Sequence, residues 1–287
     1  MAWIDVNGRA AALLPFFVAT GILLFSPGSV LAQQQNPGAS PPYSSYPSLG
    51  SEQVAWIGDR IFANECNRQL SCLTSWNAGE DFPSMGIGHF IWYRQGQDSI
   101  FQESFPALLR YMQANGISLP SWVEDSELQS PWLTRDEFLD DMDGNRLSEL
   151  RQLLARTMDI QTAFIISRFD NALDEILASM DSPEQATRVR ENFYKVASSN
   201  APYGLYALID YVNFKGIGVS ERETYNTEGW GLKQVLLDMT QNNDPLAAFV
   251  MSARQTLANR VDNAPIQRNE SRWLNGWNNR LDTYLPD

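Results

Sequence analysis

Histidine, cysteine and cationic residues are scarce in this chain, and each scarcity argues against a class of function. One histidine and two cysteines among 287 residues cannot build a histidine-rich metal centre, and the zinc-protease pattern HExxH is absent. The chain also lacks a CxxC pair, a P-loop and a Gly-x-Ser-x-Gly elbow. Redox, nucleotide-phosphate and serine-hydrolase sites of those types are therefore not expected. We expect neither a metal nor a cofactor.

Positive charge is also in short supply. The chain has 21 lysine and arginine residues against 34 aspartate and glutamate residues, a formal net charge of −13. Nucleic-acid phosphates require a basic surface, so nucleic acid is not an expected partner. Apolar material is plentiful by contrast, with 44% hydrophobic and 11% aromatic residues. This composition predicts a folded chain with a sizeable core, in one large domain or two small ones.

The N-terminal hydrophobic run is too short for a membrane span. It covers residues 10–25, follows Arg9 and is interrupted by Pro15, whereas a spanning helix needs roughly 18–20 apolar residues. Small residues lead up to Ala32, which suits cleavage there. We interpret residues 1–32 as a signal peptide, with an uncleaved anchor as the alternative. The mature protein is then periplasmic or secreted, without stable membrane insertion after cleavage.

The rest of the chain divides by its patterning. Residues 33–52 are rich in proline, serine and glutamine and predict a flexible linker. Apolar residues recur at helical spacing over residues 53–64. The segments LTSWN and SMGIGHFIWY follow, and NAGEDFP between them predicts the turn of an antiparallel hairpin.

Helical patterning dominates after Phe105. Ser182-Pro183 and Asp244-Pro245 each combine a capping side chain with proline and predict helix starts. Residues 53–287 are therefore expected to form an α+β domain that is mostly helical. Its small antiparallel hairpin or sheet lies near the N-terminal end of the mature domain.

The two cysteines predict where the first helix ends. In an exported chain, Cys66 and Cys72 are expected to form a disulfide. On one continuous helix their Cα atoms would be about 9 Å apart, whereas a disulfide requires roughly 4.4–6.8 Å. The helix must therefore stop soon after Glu65. A cysteine nucleophile activated by His89 is the alternative, and pairing of the cysteines argues against it.

Glu65 is then placed at the C-terminal end of a helix. The helix dipole disfavours a negative charge there, so we expect the pKa of this carboxyl to be raised. A raised pKa suits a general acid that protonates a glycosidic oxygen. An ordinary exposed surface glutamate is the alternative.

Three stretches, in the same order, resemble the phage-type lysozymes (glycoside hydrolase family 24) of the lysozyme-like superfamily. The first is Glu65 followed by the hairpin and Gly86-Ile87-Gly88-His89. The second, ALIDYVNFKG at residues 207–216, resembles that family's central buried helix. The third is SRWLN, followed by Asn279-Arg280. The resemblance implies a lysozyme-like fold in which residues of about 105–200 form a long helical insert.

The resemblance also implies roles for individual residues. Glu65 matches the general acid, and Ser84 matches a residue that helps to hold the attacking water. Arg280 matches an arginine near the acid. His89 is implied to be structural, hydrogen-bonded to a carboxylate beside the cleft.

The family's second carboxylate falls on Ala78 in this chain. Glu80 or Asp81 in the same turn could replace it, and Glu80 is slightly favoured. Without a second carboxylate, the enzyme would work with a single acid, as lytic transglycosylases do.

Other residues expected near the site either bind substrate or shape the site. The residues expected to bind substrate are Trp76, Trp92, Tyr93, Asn213 and Arg280. The residues expected to shape the site are Gly86, Gly88 and His89.

These expectations predict an exported enzyme that cleaves a β-1,4-linked amino-sugar polymer. The expected partner is peptidoglycan or a related polysaccharide, which this enzyme would cleave as a muramidase or a lytic transglycosylase. The acidity of the chain also suits a chitosanase-like hydrolase of a cationic glycan. A third alternative is a non-catalytic periplasmic protein that binds glycan or serves a structural role, which Ala78 in the second-carboxylate position would favour.

Overall fold

A computed structural model describes residues 48–97, 101–221 and 223–286. The predicted signal peptide lies outside these residues, and so does the predicted linker up to residue 47. The last two residues assigned to the linker, Ser51 and Glu52, belong to the first helix. Over the part of the chain described, none of the helices has the length and apolar character needed to cross a membrane.

Helices make up most of the described residues, and two small sheets accompany them. The helices are α1 (Ser51–Cys66), α2 (Phe105–Ala114), α3 (Ser121–Asp125), α4 (Arg135–Asp140), α5 (Asn145–Arg156), α6 (Met158–Phe169), α7 (Ala172–Ala178), α8 (Pro183–Ala197), α9 (Tyr203–Lys215), α10 (Leu232–Asp238), α11 (Pro245–Asn263) and α12 (Ser271–Asp282). The strands are β1 (Thr74–Ser75), β2 (Ser84–Met85), β3 (Phe90–Ile91), β4 (Thr224–Tyr225) and β5 (Glu228–Gly229). The α+β class with mainly helical content is confirmed.

Helix α1 ends where the cysteine spacing requires. Asn67 adopts the left-handed conformation at φ 46° and donates its N–H to the Ala63 carbonyl, a common way to stop a helix. Glu65 consequently lies in the last turn. Cys66 and Cys72 are bonded, with Cα atoms 5.4 Å apart. The predicted helix end and the predicted disulfide are both confirmed.

The first sheet is antiparallel in the order β1-β2-β3. The predicted hairpin is confirmed for β1 and β2, in which Thr74 pairs with Met85. The segment SMGIGHFIWY was predicted as one strand, and this was wrong because a turn interrupts it. Gly86 and His89 have positive φ values of 72° and 47°, and the His89 N–H donates to the Gly86 carbonyl. The chain thereby reverses into β3 and presents His89 at the turn.

The predicted starts of α8 and α11 are confirmed. Ser182 accepts a hydrogen bond from the Gln185 N–H at the beginning of α8. Asp244 accepts from the N–H groups of Leu246 and Ala247 at the beginning of α11. Each capping side chain satisfies donors that a helix otherwise leaves without partners.

Helix α9 is buried on nearly every side. Residues 204–212 along it are all buried, and the apolar residues surround the helix axis. Asp210 is a fully buried exception. Helix α6 packs closely on α1, since a Cβ at Gly58 would lie 2.2 Å from Thr162 Oγ1.

Candidate active site

Glu65 binds two cationic or polar partners at once. Its Oε1 accepts a hydrogen bond from Arg280 Nη1 at 2.6 Å, and its Oε2 lies 3.3 Å from His89 Nδ1. The Glu65 side chain is 14% exposed. Both carboxylate oxygens are therefore engaged, and a small part of the group still reaches solvent.

Arg280 connects Glu65 to a second, fully buried carboxylate. Its Nε and Nη2 donate to the two oxygens of Asp210, each at 2.8 Å. Tyr284 also donates its hydroxyl to Asp210, at 2.6 Å. Arginine paired with carboxylate through two parallel bonds is geometrically specific. Helices α1, α9 and α12 are joined at this point.

These contacts decide the ionisation of Glu65. Burial raises the cost of the charge, but the charges of Arg280, His89 and Lys215 outweigh it, so the pKa of Glu65 is lowered. The predicted raised pKa was wrong, because it considered only the end of α1 and not the arginine brought from α12. Glu65 is consequently ionised in the unliganded protein.

His89 lies between the Glu65 carboxylate and the disulfide. Its Nδ1 faces Glu65, while its Nε2 lies 3.2 Å from Cys72 Sγ and 3.6 Å from Cys66 Sγ. The carboxylate that the resemblance implied as the partner of His89 is thus Glu65 itself. Cys66, Cys72 and His89 also form a group whose potential metal-ligating atoms lie within 4.8 Å of one another.

Glu80 is the second carboxyl of this region. It is half-buried, and its Oε2 accepts a hydrogen bond from Asn77 Nδ2 at 3.2 Å. Burial raises the pKa of Glu80, and this outweighs the opposing effects of Asn77 and of the nearby His89. Asp81, by contrast, is exposed. The charge of His89 favours the ionised form of both carboxyl groups, but burial dominates at Glu80.

The other predicted site residues lie on the sheet and on α9. Ser84 is buried in the central strand, where it pairs with Ser75 and Ile91. A Cβ at Gly88 would lie 3.1 Å from Asn213 Oδ1, so the turn packs against the end of α9. Asn213 Nδ2 is buried and has no hydrogen-bond partner among the described residues. It is a donor positioned beside the His89 turn.

The predicted substrate-binding aromatics are core residues. Trp92 is 0% exposed, packs on Phe105 at 4.7 Å between ring centroids, and donates its Nε1–H to the Leu128 carbonyl. It is not available to stack on a sugar, which corrects the prediction. Trp76 and Tyr93 are also buried, at 7% and 5% exposure. Packing of the small sheet on the neighbouring helices uses these rings.

Sequence reasoning missed Lys215 at the end of α9. It is buried, and its Nζ lies 3.6 Å from the ring centroid of Trp277 and 3.9 Å from that of Phe214. Burial lowers the pKa of Lys215 well below its usual range, and the charges of Arg260 and Arg280 add to this effect. A charged residue inside an apolar stretch of sequence indicates a buried side chain that needs a partner. The sequence shows this pattern at both Lys215 and Asp210.

Two cavities among the described residues lie away from Glu65. One of about 290 Å³ is lined by residues of β5, α10 and α11 and their neighbours, such as Gly229, Gln234 and Arg260. Another of about 450 Å³ is lined by residues that include Arg188 and Met239. Neither has Glu65 among its lining residues.

Comparison with known proteins adds no relative. No protein-family model, no curated protein and no solved structure matches this chain. The lysozyme-like interpretation therefore rests on the three sequence stretches. The function has to be inferred from the chemistry of Glu65, Glu80, His89 and Arg280.

Proposed function

We propose that this protein is a glycan-cleaving enzyme of the lysozyme-like type, acting on a β-1,4-linked amino-sugar polymer, with peptidoglycan as the substrate. The observation that carries the proposal is the Glu65 carboxylate held by Arg280 and His89, together with the half-buried Glu80 carboxyl in the turn between β1 and β2. The pKa of Glu65 is lowered and that of Glu80 is raised. Two carboxyl groups with opposite shifts are what acid–base cleavage of a glycosidic bond requires.

The opposite shifts suggest a division of roles. Glu80 keeps its proton to a higher pH and is suited to protonate the leaving glycosidic oxygen. Glu65 stays ionised, and its charge can stabilise the oxocarbenium-like transition state or activate water. The sequence had assigned proton donation to Glu65, and the contact with Arg280 favours the reverse assignment.

Other residues of the cluster would position these groups. Arg280 holds one oxygen of Glu65, and His89 holds the other. Ser84 and the unsatisfied Asn213 Nδ2 remain candidates for holding water or substrate. The predicted signal peptide and the disulfide support an exported location, periplasmic or secreted.

Glutamine substitutions test the proposal. We expect Glu65→Gln to lower the clearing of purified peptidoglycan in a gel by about 10²–10⁴-fold, the usual contribution of a catalytic acid or base. Glu52→Gln is the matched control, because Glu52 is exposed on the same helix. Full activity of Glu65→Gln would remove the mechanism. Glycan binding by the wild type without any cleavage would favour a non-catalytic protein.

A second set of measurements tests which of the two carboxyl groups donates the proton. A substrate with an acidic phenol as leaving group needs little protonation, so Glu80→Gln should cleave it far better than it cleaves the polymer. Added azide should restore activity to Glu65→Ala, in which the truncated side chain leaves room for an external nucleophile. If the acidic leaving group instead restored cleavage by Glu65→Gln, and azide instead rescued a Glu80 variant, Glu65 would be the proton donor.

Product masses separate hydrolysis from transglycosylation, because an anhydro product is lighter by one water.

The acidity of the chain favours one competing substrate, the cationic glycan chitosan. With a net charge of −13, the protein repels an anionic wall and attracts a cationic polymer. Salt screens both effects. We expect cleavage of peptidoglycan to increase between low and moderate ionic strength. Activity on chitosan that falls with added salt, with none on peptidoglycan, would identify the chitosanase-like alternative.

A further inference from the structure

We propose that this protein binds Zn²⁺ through Cys66, Cys72 and His89 once the disulfide is reduced. The site is independent of glycan cleavage, since it consists of side chains that the proposed mechanism uses only for support. It would be a metal site that exists in one redox state of the chain and not in the other.

The imidazole is already placed as a ligand. His89 Nε2 lies 3.2 Å from Cys72 Sγ and 3.6 Å from Cys66 Sγ. In a tetrahedral zinc site, bond lengths of about 2.3 Å to sulfur and about 2.0–2.1 Å to nitrogen place sulfur and nitrogen about 3.5 Å apart. The nitrogen therefore needs little movement. The two sulfurs need to separate to about 3.8 Å, again for tetrahedral geometry.

The required movement is small and falls on an accessible segment. Cys66 is the last residue of α1, and Cys72 lies in the single 3₁₀ turn Leu70–Leu73. Cys72 is only half-buried, and the residues before it, Gln69 to Ser71, are exposed. A short turn at the surface can shift by this amount without disturbing α1.

Glu65 orients the histidine for metal binding. Glu65 Oε2 lies 3.3 Å from His89 Nδ1, and a carboxylate at this position favours the tautomer that carries its proton on Nδ1 and keeps the Nε2 lone pair for a metal. Arg280 fixes Glu65 in turn. A carboxylate that holds the second ring nitrogen of a ligating histidine is the usual outer shell of a zinc site.

The donor set selects the ion. Two thiolates and one imidazole suit Zn²⁺, with water in the fourth position, rather than Ca²⁺ or Mg²⁺, which prefer oxygen. The chemistry has two steps. A dithiol reductant gives two electrons and two protons to the disulfide and itself becomes a disulfide. Zn²⁺ then displaces the two thiol protons and binds both sulfurs.

Zinc binding would give the chain a second means of connecting the end of α1 to the following turn. In the oxidised chain, the disulfide ties the end of α1 to the following turn. In the reduced chain, zinc would make the same connection and add His89 to it. The Glu65–His89 contact would thereby be kept in both redox states.

Metal titration of an untagged protein tests the proposal. The chain is reduced with a phosphine under nitrogen, freed of the phosphine, and titrated with Zn²⁺ against a chromophoric chelator. We expect one tightly bound Zn²⁺ per reduced chain and none in the oxidised chain. Because the chain contains two cysteines and one histidine, the ligands are unambiguous. Co²⁺ should give a thiolate-to-metal charge-transfer band.

Variants separate this site from binding by the thiols alone. Cys66→Ser and Cys72→Ser should abolish tight binding, and His89→Gln should weaken it at least about tenfold. Loss of the supporting carboxylate in Glu65→Gln should weaken it about 10–100-fold. Glu52→Gln should bind as the wild type does. Unchanged affinity in His89→Gln, or no binding by the reduced chain, would overturn the proposal.

Folding of the reduced chain is monitored by circular dichroism. If reduction lowers the helical signal, added Zn²⁺ should restore it, and failure to do so also counts against the site. No glycan is present in these measurements. A negative result would therefore leave the proposed glycan cleavage unaffected, and a negative cleavage assay would leave the zinc site unaffected.

Discussion

A single carboxylate shows how tertiary contacts control chemistry at the residue scale. Glu65 is largely buried, a condition that by itself favours the neutral acid. Arg280 and His89 reverse this preference, one at each oxygen. The result is a charge held in a largely dry setting, where its electrostatic effect on a bound substrate would be stronger than in water.

The lowered pKa of Glu65 predicts a pH-dependent contribution to stability. The folded pKa lies below the unfolded value of about 4.3, so the stabilising effect is complete above that value and is lost as pH falls through the folded pKa. The gap in unfolding free energy between wild type and Glu65→Gln should therefore shrink as the pH falls below about 4.3. Urea unfolding at several pH values measures it. A gap that is constant with pH would contradict the assigned ionisation.

Individual site residues could be predicted only in part. The resemblance brought Glu65, His89 and Arg280 together, and the structure has them in contact. Trp92 was misassigned because the sequence gives the ring but not its burial. Lys215 was missed because its lowered pKa arises from burial, to which the charges of Arg260 and Arg280 on other helices add.

At the scale of elements, the turn at residues 86–89 depends on helix α6. Gln161 is fully buried on that helix, accepts from the Ile87 N–H at 2.9 Å and donates to the Leu154 carbonyl at 2.7 Å. A Cβ at Gly86 would lie 2.3 Å from Gln161 Oε1, so only glycine fits there without movement. The expected helical insert thus supplies a residue that holds the His89 turn.

We predict that Gln161→Leu destabilises the protein by about 2 kcal/mol, because it leaves the N–H of Ile87 without a partner and removes one of the two hydrogen bonds to the Leu154 carbonyl. The substitution keeps the side-chain volume and the helix propensity nearly constant. Gln185→Leu, at an exposed position of α8, should change stability by less than about 0.5 kcal/mol. Chemical denaturation compares the two, and equal effects would argue against the role given to Gln161.

Local signals predicted the elements that depend on local chemistry. The end of α1 followed from disulfide geometry, and the starts of α8 and α11 followed from Ser182 and Asp244 with their prolines. The break between β2 and β3 did not follow from the two segments and the turn that predicted the hairpin. It depends on positive backbone angles at Gly86 and His89 and on packing against a helix far along the chain.

At the scale of the whole molecule, one buried ion-pair network joins helices that are far apart in sequence. Arg280 of α12 pairs with Asp210 of α9 and with Glu65 of α1. Nothing in the sequence order alone indicates this connection. The resemblance predicted Arg280 near the acid, whereas the role of Asp210 required the folded structure.

Removing the buried partner of Arg280 should weaken the fold. Asp210→Asn leaves the guanidinium without its doubly bonded counter-charge, and we expect a loss of about 3 kcal/mol, or roughly 6–12 °C in Tm. The pair Arg254–Asp282 is the control, because it is a more exposed ion pair on α11 and α12. Asp282→Asn should cost at most about 1 kcal/mol. Calorimetry distinguishes the two, and similar losses would contradict the importance of the network.

The long reach of Arg280 has a consequence for biosynthesis. Glu65 is 215 positions earlier than its arginine partner, so a chain emerging from the ribosome or a translocation pore has the carboxylate long before the guanidinium. Until the final helix has been made, Asp210 and Glu65 lack their shared counter-ion. Completion of the site is thereby tied to the synthesis of α12, and truncated products that end before α12 should be inert.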